Sequence, residues 1–194
     1  MITINEWKSV VANVAKSNRF LLDFDMVQPS EGNDPWSMYR QTNFFTDMGF
    51  LVQDAVIPNR TQTNIPVKFH GMRLEFPGDY EHNDLTIKFL NGKLGSNSSS
   101  SWYIRSFFED WMDVIQNTDI NTRIPSITAI SMANITLTQL GLSETDILAS
   151  YYFKYAYPKE LSEISLSMGN SEIETFTVTF AYSSWVYLNP NGEY

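Results

Sequence analysis

The chain contains no cysteine. Disulfide staples, thiolate metal sites and cysteine nucleophiles are therefore excluded, and stability has to come from packing or from association. Histidine is nearly as scarce, with two in 194 residues, His70 and His82. Neither has partners at metal-ligand spacing. His70 reads as a mid-strand residue between Phe69 and Gly71 and His82 as part of a polar turn, both ordinary surface residues rather than a base or a ligand. Positive charge is short as well: 13 Lys and Arg stand against 22 Asp and Glu, a net charge of −9. A groove that grips nucleic acid through its phosphates needs the opposite sign, so tight DNA or RNA binding is not expected, whereas passage of DNA along a repelling surface is compatible. No apolar run approaches the length of a transmembrane helix. Glu6 and Lys8 interrupt the short apolar pieces at the start, where no signal-peptide pattern is found. The chain reads as a soluble protein made in a cytoplasm, and the sequons at Asn59, Asn97 and Asn134 read as accidental.

Catalytic fingerprints are missing too. Gly92-Lys93 is followed by Leu94, not Ser or Thr, and no G-x-G-x-x-G, G-x-S-x-G, S-x-x-K or H-E-x-x-H occurs. Two strand-borne carboxylates could meet in space as a glycosidase pair, but nothing in the pattern promotes it. The expectation is a non-enzyme with no catalytic residues, no cofactor and no metal.

What is present is β pattern. In the C-terminal third, Ile147 to Tyr155 alternates and reads as stopping at Tyr157-Pro158, Ile164 to Met168 reads as a short strand, and Glu174 to Tyr182 has the cleanest period of two. There Phe176, Val178, Phe180 and Tyr182 point one way and Thr175, Thr177, Thr179 and Ala181 the other, as a half-buried antiparallel strand requires. With 43% hydrophobic residues the chain can bury a core, and one domain spanning 1–194 is expected.

Taken from the start, residues 1–18 read as an N-terminal helix, with Trp7, Val10, Val11 and Val14 on one face after a Thr3-x-x-Glu6 capping pattern. Arg19 to Val27 is a strand with Phe20, Leu22, Phe24 and Met26 on one side. Asp23 and Asp25 lie on the other, where an Asp-x-Asp pair reads as a solvated face rather than a metal dyad. Residues 28–47 form a loop whose aromatics Trp36, Tyr39, Phe44 and Phe45 are too many to stay in water; they dock on the domain or on a partner. Met48 to Ile57 and Ile65 to Phe76 read as the two arms of a protruding hairpin (48–76) with a polar tip at Asn59, Arg60, Thr61, Gln62 and Thr63. Gly78-Asp79 turns the chain into the strand Asp84 to Asn91. Trp102 to Ile115 is the best helical stripe, through Ile104, Phe107, Phe108, Trp111, Val114 and Ile115, with Ser100 or Ser101 as N-cap. Ser131 to Leu140 is a further strand, and 188–194 a tail.

Three segments resemble the tail tube proteins of contractile-tailed bacteriophages. One is Ala156-Tyr157-Pro158, Glu163-Ile164-Ser165-Leu166, then Glu172 through Tyr182 and Trp185. The second is Ile65-Pro66-Val67-x-Phe69, followed by Pro77-Gly78-Asp79 and Asp84-Leu85-Thr86-Ile87. The third is the helix, where Arg105, Phe107 and Trp111 echo an Arg, Phe, Trp helix at the same place. The family has a short hairpin where 28–47 stands, so that segment looks like an insertion. The resemblance implies a mainly β fold, an antiparallel β-sandwich or half-barrel with a flanking helix. It also implies six copies per ring and rings stacked into the inner tail tube through which DNA is ejected. The implied partners are further copies of the chain, the tail sheath, and baseplate and neck tube proteins; DNA passes without specific binding, and the place is the virion tail. The resemblance gives the hairpin a ring-stacking role, and Arg60 is the expected anchor there because its planar fork can hold a carboxylate of a neighbouring, equally acidic copy bidentately. Open sheet edges would be closed by pairing between subunits, and an acidic lumen, with Asp23 and Asp25 in it, would let DNA slide. Two alternatives share the fold: a tube initiator or terminator at the baseplate or neck, and a type VI secretion tube protein. A carbohydrate-binding β-sandwich is a third, supported by five Trp and ten Tyr, against which most aromatics fall at inward positions.

Overall fold

A computed structural model describes residues 19–26, 34–40, 44–94, 102–117, 122–123, 132–141, 146–166, 168 and 173–188. In chain order the elements are β1 (Phe20–Met26), α1 (Ser37–Arg40), α2 (Phe44–Phe50), β2 (Val52–Val56), β3 (Arg60–Phe69), β4 (Met72–His82), β5 (Leu85–Leu90) and β6 (Lys93–Leu94). There follow β7 (Trp102–Tyr103), α3 (Ile104–Ile115), β8 (Gln116–Asn117), β9 (Thr122–Arg123), β10 (Ala133–Leu140), β11 (Ile147–Leu161), β12 (Thr175–Ala181) and β13 (Ser184–Leu188). The described residues are mainly antiparallel β with three helices.

Seven strands form one open sheet in the order β1-β10-β11-β12-β5-β2, with β13 also on β11. β12 and β13 follow each other along β11, from Leu161↔Val178 to Ser150↔Leu188, and the Ser183 amide donates to the Lys154 carbonyl at 3.0 Å between them. One long strand, β11, therefore runs through a bend, which joins a β1-β10-β11-β13 half to a β11-β12-β5-β2 half. Tyr155 sits at the bend with φ +54°, between register shifts at Ala133/Ile135 and Pro158/Glu160. An extra residue at such a place bends a strand and lets it change sheet. It also resets the side-chain period: Phe153 and Ala156, three apart, are both buried.

The inward faces meet across the bend. Phe24 of β1 lies 5.9 Å from Phe180 of β12 and 6.4 Å from Phe89 of β5 between ring centroids, although β1 pairs with neither strand. Helix α3 packs on this core through Ile104, Phe107, Phe108 and Trp111, all at 0% exposure. Phe108 touches the rings of Phe24, Phe89, Phe176 and Phe180. Arg105 secures the helix from outside, its Nη1 donating to the Ser162 carbonyl at 2.8 Å. On the far side of α3, Phe107 is ringed by Trp36, Tyr39 and Phe44 at 5.5, 4.9 and 5.3 Å. The aromatics of 28–47 thus dock on the chain's own core. The Tyr39 hydroxyl donates to Asp110 Oδ2 at 2.6 Å, and burial, followed by that bond and the Asp110 charge, raises the phenol's pKa well above its usual range. α2 lies so close to β1 that a Cβ on Gly49 would come 2.5 Å from the Leu22 carbonyl oxygen.

Several sequence expectations are corrected. Residues 44–50 are helical, because Phe44 and Met48, one turn apart, bury together; the strand begins only at Val52. The segment 28–47 is accordingly not wholly a loop. β11 does not stop at Pro158, whose missing N–H is tolerated at the bulge next to it. Ile164 to Leu166 is not a strand. α3 begins at Ile104 after two residues of strand, which displaces Ser100 and Ser101 from the N-cap. Leu188 of the expected tail closes β13. The expected helix of 1–18 and the tail from residue 189 onward lie outside the described residues.

Candidate assembly surface

The protruding hairpin is not the one expected from the sequence. β2 pairs with β5 inside the sheet, and the hairpin is β3 with β4, from Arg60↔His82 at its root to Phe69↔Met72 at its end. His70 and Gly71 make the turn, with φ of 48° and 81°. Two consecutive positive φ values are what a two-residue turn of the primed type needs, and Gly takes the second without strain. His70 is therefore a turn residue and His82 a strand end, the reverse of their expected settings. Gly78-Asp79 is no turn; opposite the single residue Thr63 these two residues form a bulge in β4. Thr63 Oγ1 donates to the Asp79 carbonyl there at 3.1 Å, and a Cβ on Gly78 would lie 2.6 Å from Thr63 Oγ1.

Among the described residues, the backbone of this hairpin pairs with nothing but itself. Its cross-strand pairs Ile65↔Phe76, Val67↔Leu74 and Phe69↔Met72 put six large apolar side chains on one face, 43–64% exposed. The other face carries Asn64↔Pro77, Pro66↔Glu75 and Lys68↔Arg73, with Asn64 and Arg73 both bound to the Glu75 carboxylate at 3.0 Å. Pro66 fits because each strand of a two-stranded ribbon has a free edge. An isolated hairpin is marginally stable in water, and monomeric proteins rarely leave so continuous an apolar face uncovered.

The expected stacking residues Asn59, Arg60, Thr61, Gln62 and Thr63 form the root of the hairpin, not its tip. Arg60 makes contacts within the chain: its guanidinium lies 4.1 Å from the Tyr80 ring centroid and 5.8 Å from that of Trp185 on β13. On the opposite strand His82 stacks on Tyr182 at 4.5 Å and 16°. The Tyr182 hydroxyl donates to the Asn83 carbonyl at 2.7 Å, and burial, with the Asp84 charge second, pushes its pKa up to about 12. Asp23 and Asp25 are solvent-exposed on the outer face of β1, opposite Thr136 and Asn134. β1 ends the sheet, so its far edge is unpaired among the described residues, as is that of β2. The structure does not join these carboxylates to the hairpin residues; the two groups belong to different elements. The apolar face was legible in retrospect, since Ile65, Val67, Phe69 and Met72, Leu74, Phe76 mirror each other about His70-Gly71.

An open, bent antiparallel sheet backed by an aromatic helix and extended by an amphipathic ribbon is a mainly β architecture with an exposed apolar ribbon face. The chain belongs to the phage tail tube protein family, whose model matches residues 15–188. The fold is similar to that of a chain in an extracellular contractile injection system, the PVC sheath-tube complex in its extended state, with a TM-score of 0.58, 14% identity, and 92% of this chain and 95% of that one covered. It is likewise similar to a chain of the PVC sheath/tube terminator, at TM-score 0.58, 12% identity and coverage of 91% and 97%. A chain of the anti-feeding prophage baseplate matches at TM-score 0.56, 15% identity and coverage of 91% and 97%. No curated protein matches by sequence.

Proposed function

We propose that this chain is the repeating subunit of hexameric rings that stack into the inner tail tube, through which DNA leaves the particle inside a contractile sheath. The reading rests on the hairpin's apolar face. Six large apolar side chains on a self-paired ribbon find no cover within the described residues, and further copies of the chain would supply it as ring meets ring. The unpaired edges of β1 and β2 support the same reading, because closing a ring by strand pairing removes edges that otherwise invite aggregation. In the assembled tube the stacking contact is the ribbon between Ile65 and Phe76, while Asn59 to Thr63 act at its root. Asp23 and Asp25, on an exposed sheet face of an acidic chain, belong to the lumen, where like charge keeps DNA from adhering. The whole of residues 1–194 serves as one tube-protein domain.

Negative-stain electron microscopy of the purified protein tests the reading: rings and tubes are expected at high concentration. A variant with Val67 to Leu74 replaced by Asn-Gly keeps the root strands paired and should give folded subunits without long tubes. A chain that remains monomeric at high concentration, and that is missing from tubes in the source particle, would overturn the proposal.

A further inference from the structure

We infer that Arg60 and His82 are positioning residues, which clamp the hairpin at a fixed angle to the sheet before any partner engages it. The hairpin shares no backbone ladder with the seven-stranded sheet among the described residues. Beside its root lies an open depression of about 640 Å³, lined by residues such as Val56, Asn59, His82 and Thr86. Besides the short links at 57–59 and 83–84, side-chain contacts from each strand bear on its direction. From β3, the Arg60 guanidinium reaches between Tyr80 of the ribbon and Trp185 of β13, within cation–π range of both rings. From β4, the His82 ring stacks on Tyr182, whose hydroxyl also holds the Asn83 carbonyl.

Tyr182 and Trp185 are three residues apart at the bend between β12 and β13, so both contacts end on one short, well-packed stretch. Tyr182 touches Phe153 at 5.1 Å, and Trp185 touches Tyr151 and Phe153 at 5.7 and 6.4 Å. Leverage explains why a clamp is needed here. At about 3.3 Å per residue a ten-residue strand reaches roughly 33 Å, so a swing of about 20° at the root moves the turn by on the order of 10 Å. Side chains that must seat on a neighbour cannot tolerate such latitude without losing affinity to the ordering cost. Arg60 thus serves assembly from inside its own chain.

The absence of cysteine makes the test clean. Nitroxide labels on Lys68→Cys near the turn and Asp113→Cys on α3 report the hairpin's angle as a distance distribution, measured by pulsed electron spin resonance on dilute, unassembled protein. The expected result is a narrow distribution in the otherwise wild-type chain and a broad one in Arg60→Ala/His82→Ala, with unchanged unfolding midpoints. His82→Phe, which keeps the stack, should stay narrow. A broad distribution without the alanine substitutions, a narrow one with them, or a broad one in His82→Phe would each overturn the clamp. Tube growth is then followed in the same variants, the one measurement that rests on the tube reading. Slower growth in the alanine variant links the clamp to assembly. Wild-type growth with a broad distribution leaves the clamp standing and overturns the hairpin's part in stacking.

Discussion

Trp111 shows how single residues are committed. It is fully buried and its ring lies within 6.3 Å of Trp36, Phe107, Phe108 and Phe180. Trp111→Ala should cost about 3–5 kcal/mol of subunit stability, the range for deleting a packed aromatic, as read by urea unfolding. A variant that melts like wild type yet fails to assemble would move this helix from core to interface. Tyr182 gives a pH prediction. Its pKa rises from 10.0 unfolded to about 12 folded, so the fold favours the neutral phenol. That contribution is complete below pH 10, and it is lost as pH climbs through 12. Tyr182→Phe keeps the ring but loses the bond to Asn83, which should cost about 1 kcal/mol at neutral pH. The gap to wild type should narrow above pH 10 and close before pH 12 is reached in denaturant titrations at stepped pH; a gap independent of pH would show that the phenol does not titrate this way.

Among the elements, α2 and the hairpin behave in opposite ways. α2 lies against β1 with no room for a methyl group at Gly49, whose nearest obstacle is backbone and cannot rotate away. Gly49→Ala should therefore destabilise the subunit by about 1–3 kcal/mol, as overpacking does, and thermal unfolding would show it. The hairpin is exposed throughout except at Thr63 and Gly78. Replacing both Val67 and Leu74 with Lys should leave the body's unfolding midpoint within about 0.5 kcal/mol of wild type while abolishing long tubes in sedimentation and microscopy. Normal tubes from that variant would place stacking elsewhere.

For the whole molecule, charge is the property to test. Asp23 and Asp25 face solvent on β1 and make no cluster with the hairpin. Replacing both with Lys should leave folding intact and slow DNA ejection from particles assembled with the variant. Ejection at the wild-type rate would argue for a different face in the lumen.

Much of this was legible from the residues alone, for a physical reason. Alternation and helical periodicity are local, so β1, β5, β10, β12 and α3 could be read within a few residues. The same property makes a chain composed of such elements resemble its family at three separate places. Pairing is not local. Met48 to Ile57 and Ile65 to Phe76 alternate equally well, and nothing in either run states which strand it joins. Tertiary structure paired β2 with β5, because Val52 and Ala55 fall beside the buried Phe89 and Ile87. It thereby freed β3 to fold back on β4 at His70-Gly71. The bend at Tyr155 was equally hidden, since it exists only where one strand has to serve two halves of a sheet. The pattern determined which side chains seek shelter; the packed sheet decided that the six on the hairpin find none within the described chain.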